Sequence, residues 1–381
     1  MIYSVLNKKI NINFIDGPFV EITEDITLHY NIEFVNKDTN KVLFELDLIS
    51  NKWGKCSKKY FINWLIIIKG IDNDFYYEHT FDLNKKRVFV FLESHLVGDT
   101  LAWIDQVERF RIKNNCEVIC ATSHNNIFKE QYSNIQFTLP ILPKSNTSDF
   151  YALYRLGFWY TNKGTIDMDR HRIDPKNLPL IQVGSDILGI DYEETKPKLA
   201  NLGKTKQKLV TIGFHGGAQC KYWNNPTGWQ EVVDFLNMEG YEVRVLSYEE
   251  DGYMGNKLPS GITKQPNGPL TKLIEVLQES VLFIGISGGL SWLSWAAGTP
   301  TIIISGFTDI HLEPINGITR IINKNVCNSC WSKYEFNHNN WYWCPVHAGT
   351  ENRFECSKSI TGKVVIENVK NRLNNLVYGT I

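Results

Sequence analysis

The first dozen residues, MIYSVLNKKINI, lack an uninterrupted apolar stretch. Lys8 and Lys9 stand where the hydrophobic region of an export signal belongs. The expectation is a chain without a signal peptide that works in the reducing cytoplasm, where disulfides rarely persist. An excess of charge is also missing. Forty basic residues against forty-one acidic ones leave a net charge of −1, so no overall field draws the chain to nucleic acid or to an acidic membrane. Internal repeats and low-complexity tracts are absent too. The one glycosylation sequon, at Asn146, is expected to be coincidental in that compartment.

Charge is also missing locally. No Asp, Glu, Lys or Arg occurs from Ser280 to Thr308, a run long enough to suggest a membrane span. Gly285, Gly288, Gly289, Gly298, Pro300 and Gly306 break it, however. The pieces VLFIGI, LSWLSWAAG and TIIISGF read as strand, short helix and strand within a buried parallel sheet, and no transmembrane segment is expected.

At 381 residues, two or three domains are expected. Residues 1–84 alternate apolar and polar side chains, as in PFVEITEDITLHYNIEFVN and KVLFELDLI, which predicts an antiparallel β-rich domain. At RVFVFLES the pattern becomes that of a buried parallel strand. The helix-like DTLAWIDQVERFRIKN and the strand CEVICAT follow, forming a βαβ unit. Residues 85–200 therefore read as a Rossmann-like domain, closed by a lysine-rich linker from Glu194 to Lys208. Residues 201–381 repeat the alternation (LVTIGF, GWQEVVDFLNMEG, YEVRVLS, LTKLIEVLQES, VLFIGI) and end on the helix KVVIENVKNRLNNLV. The fold class is α/β. Two such domains face each other across a cleft at the carboxyl ends of their strands, where ligands bind.

Against a general scarcity of chemical motifs, four of the eight cysteines fall between Cys327 and Cys356. Cys327 and Cys330 form a C-x-x-C pair; Cys344 follows after thirteen residues and Cys356 after eleven more. Four thiolates complete a tetrahedral site, structural rather than catalytic because no coordination position is left open. A disulfide or a redox dithiol is the alternative, and zinc and iron both suit the ligands. Cys→Ser changes there are expected to lower solubility or assembly before they touch ligand binding.

The remaining candidates lie at strand ends. Asp99, in SHLVGDTLAW, is either a helix N-cap or a carboxylate facing the cleft as general base. Thr100 beside it is placed with the donor-binding residues. Lys221, in FHGGAQCKYWNN, lacks the spacing of a Walker phosphate loop; it is either a solvated lysine or a phosphate contact following a glycine pair. Ser287, Gly288, Gly289 and Leu290 turn a strand into a short helix whose amides form an anion site. His95 and His215 lie in the two cleft loops and are either ligand contacts or simply exposed. Trp292 is either a donor contact or core.

GDTLAW, the lysine of QCKYW, ISGGLSWLSWAAGTPTIIISG, LPLIQVGSDILGIDYEETKPKL and the cysteine cluster together resemble the bacterial autotransporter heptosyltransferases. Those are relatives of the lipopolysaccharide heptosyltransferases of glycosyltransferase family nine. The resemblance covers nearly the whole chain and implies a GT-B fold. It also implies inverting transfer of heptose from ADP-heptose to serine hydroxyls of an autotransporter adhesin. Asp99 matches the catalytic aspartate, Lys221 the diphosphate-binding lysine, and Cys327, Cys330, Cys344 and Cys356 an iron-holding finger over residues 327–356. No catalytic metal is implied. A homo-oligomer, a twelve-subunit ring built through the β domain and the finger, is implied as well. Two other readings stay open: a glycosyltransferase acting on lipopolysaccharide or another glycan, and a non-catalytic, metal-stabilised sugar-binding scaffold.

Overall fold

The computed structural model describes residues 1–5, 8–142 and 149–377, so the Asn146 sequon lies outside the described residues. The first eighty residues form two four-stranded antiparallel sheets. Strands β1 (Ile2–Val5), β2 (Lys8–Asn13), β3 (Phe19–Thr23) and β6 (Lys52–Lys55) make one, in that order. The other runs β5 (Lys41–Ile49), β4 (His29–Asn36), β7 (Trp64–Gly70), β8 (Tyr76–Thr80). Alternation explains both. Ile10, Ile12, Val20 and Ile22 on one sheet, and Tyr30, Ile32, Phe34, Ile66 and Ile68 on the other, are fully buried while their neighbours face outward. Each such side chain contributes about 1.5–3 kcal/mol of transfer free energy. Strand β5 is an edge, and its Val42, Phe44 and Ile49 are exposed.

The first lobe is a parallel sheet, ordered β11 (Ile135–Thr138), β10 (Glu117–Ala121), β9 (Arg87–Leu92), β12 (Ala152–Leu156). Val88 to Leu92 are buried without alternation, because Val88, Val90 and Leu92 join the main core with α1 and the antiparallel sheets while Phe89 and Phe91 pack in a second cluster with Ile119, Phe150 and Leu153. Phe14 bridges to Ala152 in parallel and so welds the β-rich region to β12. Helix α1 (Val97–Asn114) packs on α2 (Leu180–Leu188) through Trp103, which is fully buried and donates its indole N–H to the Leu180 carbonyl at 2.8 Å.

The second lobe is a six-stranded parallel sheet. Its strands are β13 (Gln207–Gly213), β14 (Glu242–Val245), β15 (Thr263–Lys264), β16 (Ser280–Ile286), β17 (Thr301–Ile304) and β18 (Ile318–Ile321), in spatial order β15-β14-β13-β16-β17-β18. Helices α3 (Gly228–Met238), α4 (Leu270–Glu279) and α5 (Gly289–Ala296) connect them. The short α6 (Cys330–Lys333) and α7 (Glu355–Lys358) lie in the cysteine-rich segment, and α8 (Gly362–Val377) ends the described chain. The uncharged run is β16, α5 and β17, as its glycines imply. No helix among the described residues is long and apolar enough to cross a membrane.

The lobes meet where α1 and α5 begin. A Cβ on Gly98 would lie 3.1 Å from Trp292 Cδ1, and one on Gly289 would lie 2.6 Å from Val97 Cγ1. Only glycine allows the two helix starts to approach this closely. The linker is pinned on both sides of that contact. The Lys198 amide bonds the Tyr132 hydroxyl at 2.7 Å, and the Glu194 carboxylate accepts the Ile315 and Asn316 amides, both at 2.8 Å.

Candidate functional site

At the end of β9 the chain leaves the sheet and enters α1 with Leu96 at the N-cap and no side-chain cap. Asp99 is the third residue of the helix, so the N-cap alternative does not hold. Its neighbour Ser94, which sequence reasoning did not single out, takes the Leu96 N–H at 3.1 Å and also hydrogen-bonds the Asp99 carboxylate. Burial pushes the Asp99 carboxyl above its ordinary value, while the Ser94 hydroxyl and the Lys221 ammonium pull it down without cancelling the rise. Asp99 as a residue is half-buried. Thr100 does not reach the cleft: it is fully buried, and its hydroxyl and amide both bond the Leu96 carbonyl at 3.3 Å.

Lys221 comes from the other lobe, on the 3₁₀ turn Gln219–Lys221 after β13. Its ammonium lies 5.6 Å from the centre of the Phe307 ring, and its charge acts on Asp99. A carboxylate and a cation from separate lobes are thus close enough for one charge to act on the other. Ser287 and Gly288 lead from β16 into α5, which has no side-chain cap. The amides of Gly289 and Leu290 precede the first intrahelical bonds, and a Cβ on Gly288 would meet nothing within 4 Å. Such a turn binds anions. The Ser287 hydroxyl points inward to Ser305 at 3.1 Å and to Thr308.

His215 Nδ1 lies 2.7 Å from the Ser247 hydroxyl, and its buried Nε2 has no hydrogen-bond partner among the described residues. Burial lowers its pKa, the Lys264 charge adds to this and Asp251 opposes it. His95 is exposed, with Nδ1 3.0 Å from Ser123 Oγ. Trp292 is buried against Gly98 and Trp295, a core residue at the junction of the lobes.

Cys330, Cys344 and Cys356 are buried and Cys327 is partly exposed. Burial first, then the neighbouring cysteines, raises Cys327, carries Cys330 to about 11 and carries Cys356 to about 12. The four cysteines thus act on one another's charge, and by donor chemistry four thiolates suit a tetrahedral site. Among the described residues, however, no group of three or more His, Cys, Asp or Glu side chains is arranged to hold a metal ion. A fifth cysteine, Cys220, joins the same apolar cluster with Phe307, Trp343 and Phe354. The Gln219 amide donates to the Trp341 carbonyl at 3.1 Å, and the Asn224 side chain bonds the Ser357 hydroxyl at 2.9 Å. The cysteine-rich segment is the seat of the loop that carries Lys221, which its sequence separation did not reveal.

Residues 177–340 match Glycosyltransferase family 9 (heptosyltransferase). The autotransporter heptosyltransferase Aah of Escherichia coli is 32% identical over 348 residues, covering 88% of this chain and 87% of that protein. The chain belongs to the autotransporter heptosyltransferase family. It is a glycosyltransferase of GT-B architecture, carrying two antiparallel sheets ahead of its lobes. The crystal structure of TibC from enterotoxigenic E. coli H10407, described as a bacterial iron-containing dodecameric glycosyltransferase, superposes with a TM-score of 0.85 at 29% identity, over 97% of this chain and 96% of that one. A second TibC structure, in complex with ADP-D-beta-D-heptose, gives 0.84 at 29% identity, with 96% of each chain covered. BimC of Burkholderia thailandensis, 27% identical over 84% of this chain and 75% of its own, is named an inactive autotransporter heptosyltransferase.

Proposed function

We propose that the chain transfers heptose from ADP-heptose to serine hydroxyls of an autotransporter adhesin, with inversion, in the cytoplasm. The observation that carries this reading is that the Lys221 charge, from the second lobe, acts on Asp99 of the first. Asp99 takes the proton of the serine hydroxyl as its Oγ attacks the anomeric carbon, and ADP leaves from the opposite face. Lys221 and the amides from Ser287 to Leu290 stabilise the charge that gathers on the departing diphosphate. Residues 85–200 then form the acceptor side and residues 201–381 the donor side, with His215 close to the donor. Names and ligands of the relatives support this reading: TibC was solved with ADP-D-beta-D-heptose, and Aah is named for autotransporters.

Cys327, Cys330, Cys344 and Cys356 would hold one structural ion, iron by analogy with the iron-containing TibC, and four thiolates on one ion would cross-link the segment under the Lys221 loop. Assembly into a ring of subunits belongs to the same reading; the exposed apolar edge β5 and Trp53 offer a surface for it. The test is to incubate the protein with ADP-heptose and an adhesin passenger fragment, then weigh the fragment by mass spectrometry. A heptose increment on serine is expected. Transfer to lipid A core alone would move the function to glycan synthesis, and no transfer from any donor would leave a binding scaffold.

A further inference from the structure

Behind the Ser287-Gly288-Gly289 turn lies a partly buried polar chain that none of the roles above uses. Thr308, in the loop after β17, is its centre. Its hydroxyl contacts the Ser287 hydroxyl and lies 2.9 Å from Ser305 Oγ and 3.3 Å from Glu313 Oε1, and Arg320 Nη2 donates to it at 3.2 Å. Arg320, on β18, also donates to the Asp309 carbonyl at 3.3 Å, and its Nη1 lies 2.5 Å from Glu313 Oε2. Both side chains of that ion pair are only 5% exposed. A charge pair this deep costs desolvation free energy and is weak evidence for stability, so its geometric effect is the better guide.

The donors and acceptors admit an ordering that keeps the Ser287 hydroxyl turned inward. Arg320 has only N–H groups to offer, so Thr308 accepts from it and sends its own proton to the Glu313 carboxylate. Ser287 then donates inward, to Thr308 or Ser305, and its proton is not available to a ligand. An anion at this turn is met by backbone amides, whose direction is set by how Ser287 is tied down. We infer that Thr308, fixed by the Arg320–Glu313 pair, is the positioning residue that orients the Ser287–Gly289 turn toward the donor diphosphate, an inference that rests on the donor site proposed above.

The test uses the full-length protein and ADP as probe, with affinity measured by calorimetry and melting followed in parallel. Thr308→Val keeps the side-chain shape and removes the hydroxyl; ADP affinity is expected to fall about tenfold. Thr308→Ser restores the hydroxyl and is expected to bind within about twofold of the parent. A merely structural role would lower the melting temperature of both variants without this rescue. Arg320→Lys keeps a cation beside Glu313 but lacks the planar fork that serves Thr308 and the Asp309 carbonyl together. It supplies the second probe if Thr308→Val does not fold, with a several-fold loss expected. Parent-like ADP affinity in folded Thr308→Val, or in Arg320→Lys, overturns the inference. Failure of the parent itself to bind ADP overturns the donor site instead, so the two failures are told apart.

Discussion

At the scale of single residues, the reaction rests on Asp99, and its surroundings fix a pH dependence. Burial raises its carboxyl, while Ser94 and Lys221 hold it down. A general base must be ionised, so kcat/KM is expected to fall on the acid side through a pKa above the ordinary carboxylate value of about 4. Ser94→Ala removes one lowering influence, so the acid limb is expected to move to higher pH; a pH–rate profile that stays in place removes Ser94 from the site. Asp99→Asn is expected to abolish transfer, by a factor of about 100 or more, while ADP still binds. Near-normal turnover in that variant would end the case for Asp99 as base. Lys221→Ala is expected to weaken donor binding and to lower turnover, because the same charge serves the bound diphosphate and its departure. Unchanged kinetics would refute its assignment.

At the scale of elements, the parallel strands were the most legible part of the fold. RVFVFLES, LVTIGF and VLFIGI are buried on both faces, so their apolar runs carry their own signature, and the glycines after VLFIGI announced the turn into α5. The antiparallel sheets announced themselves through alternation, but nothing local showed that residues 1–84 would divide into two sheets. That outcome depends on pairings such as β3 with β6, more than twenty-five residues apart. Asp99 and Lys221 were legible as strand-end residues. Ser94 and the Thr308–Glu313–Arg320 chain were not, since they matter only through tertiary contacts. The cysteine segment was legible in composition, and its packing against the loop that carries Lys221 was not. It was expected to act on assembly before ligand binding, yet it supports the Gln219–Asn225 loop directly. Cys344→Ser, or treatment with a strong chelator, is therefore expected to weaken ADP binding several-fold at unchanged oligomer size, measured by calorimetry beside light scattering. Loss of assembly with ADP affinity intact would restore the earlier expectation.

At the scale of the whole molecule, two buried histidines give the fold an acid limit. Burial, then the N-terminal ammonium and Lys86, brings His79 down to about 4, where it bonds the Tyr151 hydroxyl at 2.8 Å. Burial also brings His171 to about 4, although Asp167 and Asp174 oppose it; its Nε2 accepts the Trp159 N–H at 3.0 Å. The unfolded chain takes up these protons near pH 6.5 and the folded chain only near pH 4. This contribution to stability is therefore complete above pH 6.5 and declines as the pH falls across that window. Melting temperature is expected to drop over the same interval, with a shallower slope in His79→Leu; parallel curves would refute the assignment. The close approach of Gly98 and Gly289 has a mechanical corollary. Two helix starts whose backbones meet, flanked by the Val97 and Trp292 side chains, leave no room for a further group at the junction of the lobes. Gly289→Ala is then a wedge at that junction, and small-angle scattering should report a wider particle. With glycine at both positions, the junction holds the lobe that carries Asp99 and the lobe that carries Lys221 at one close approach.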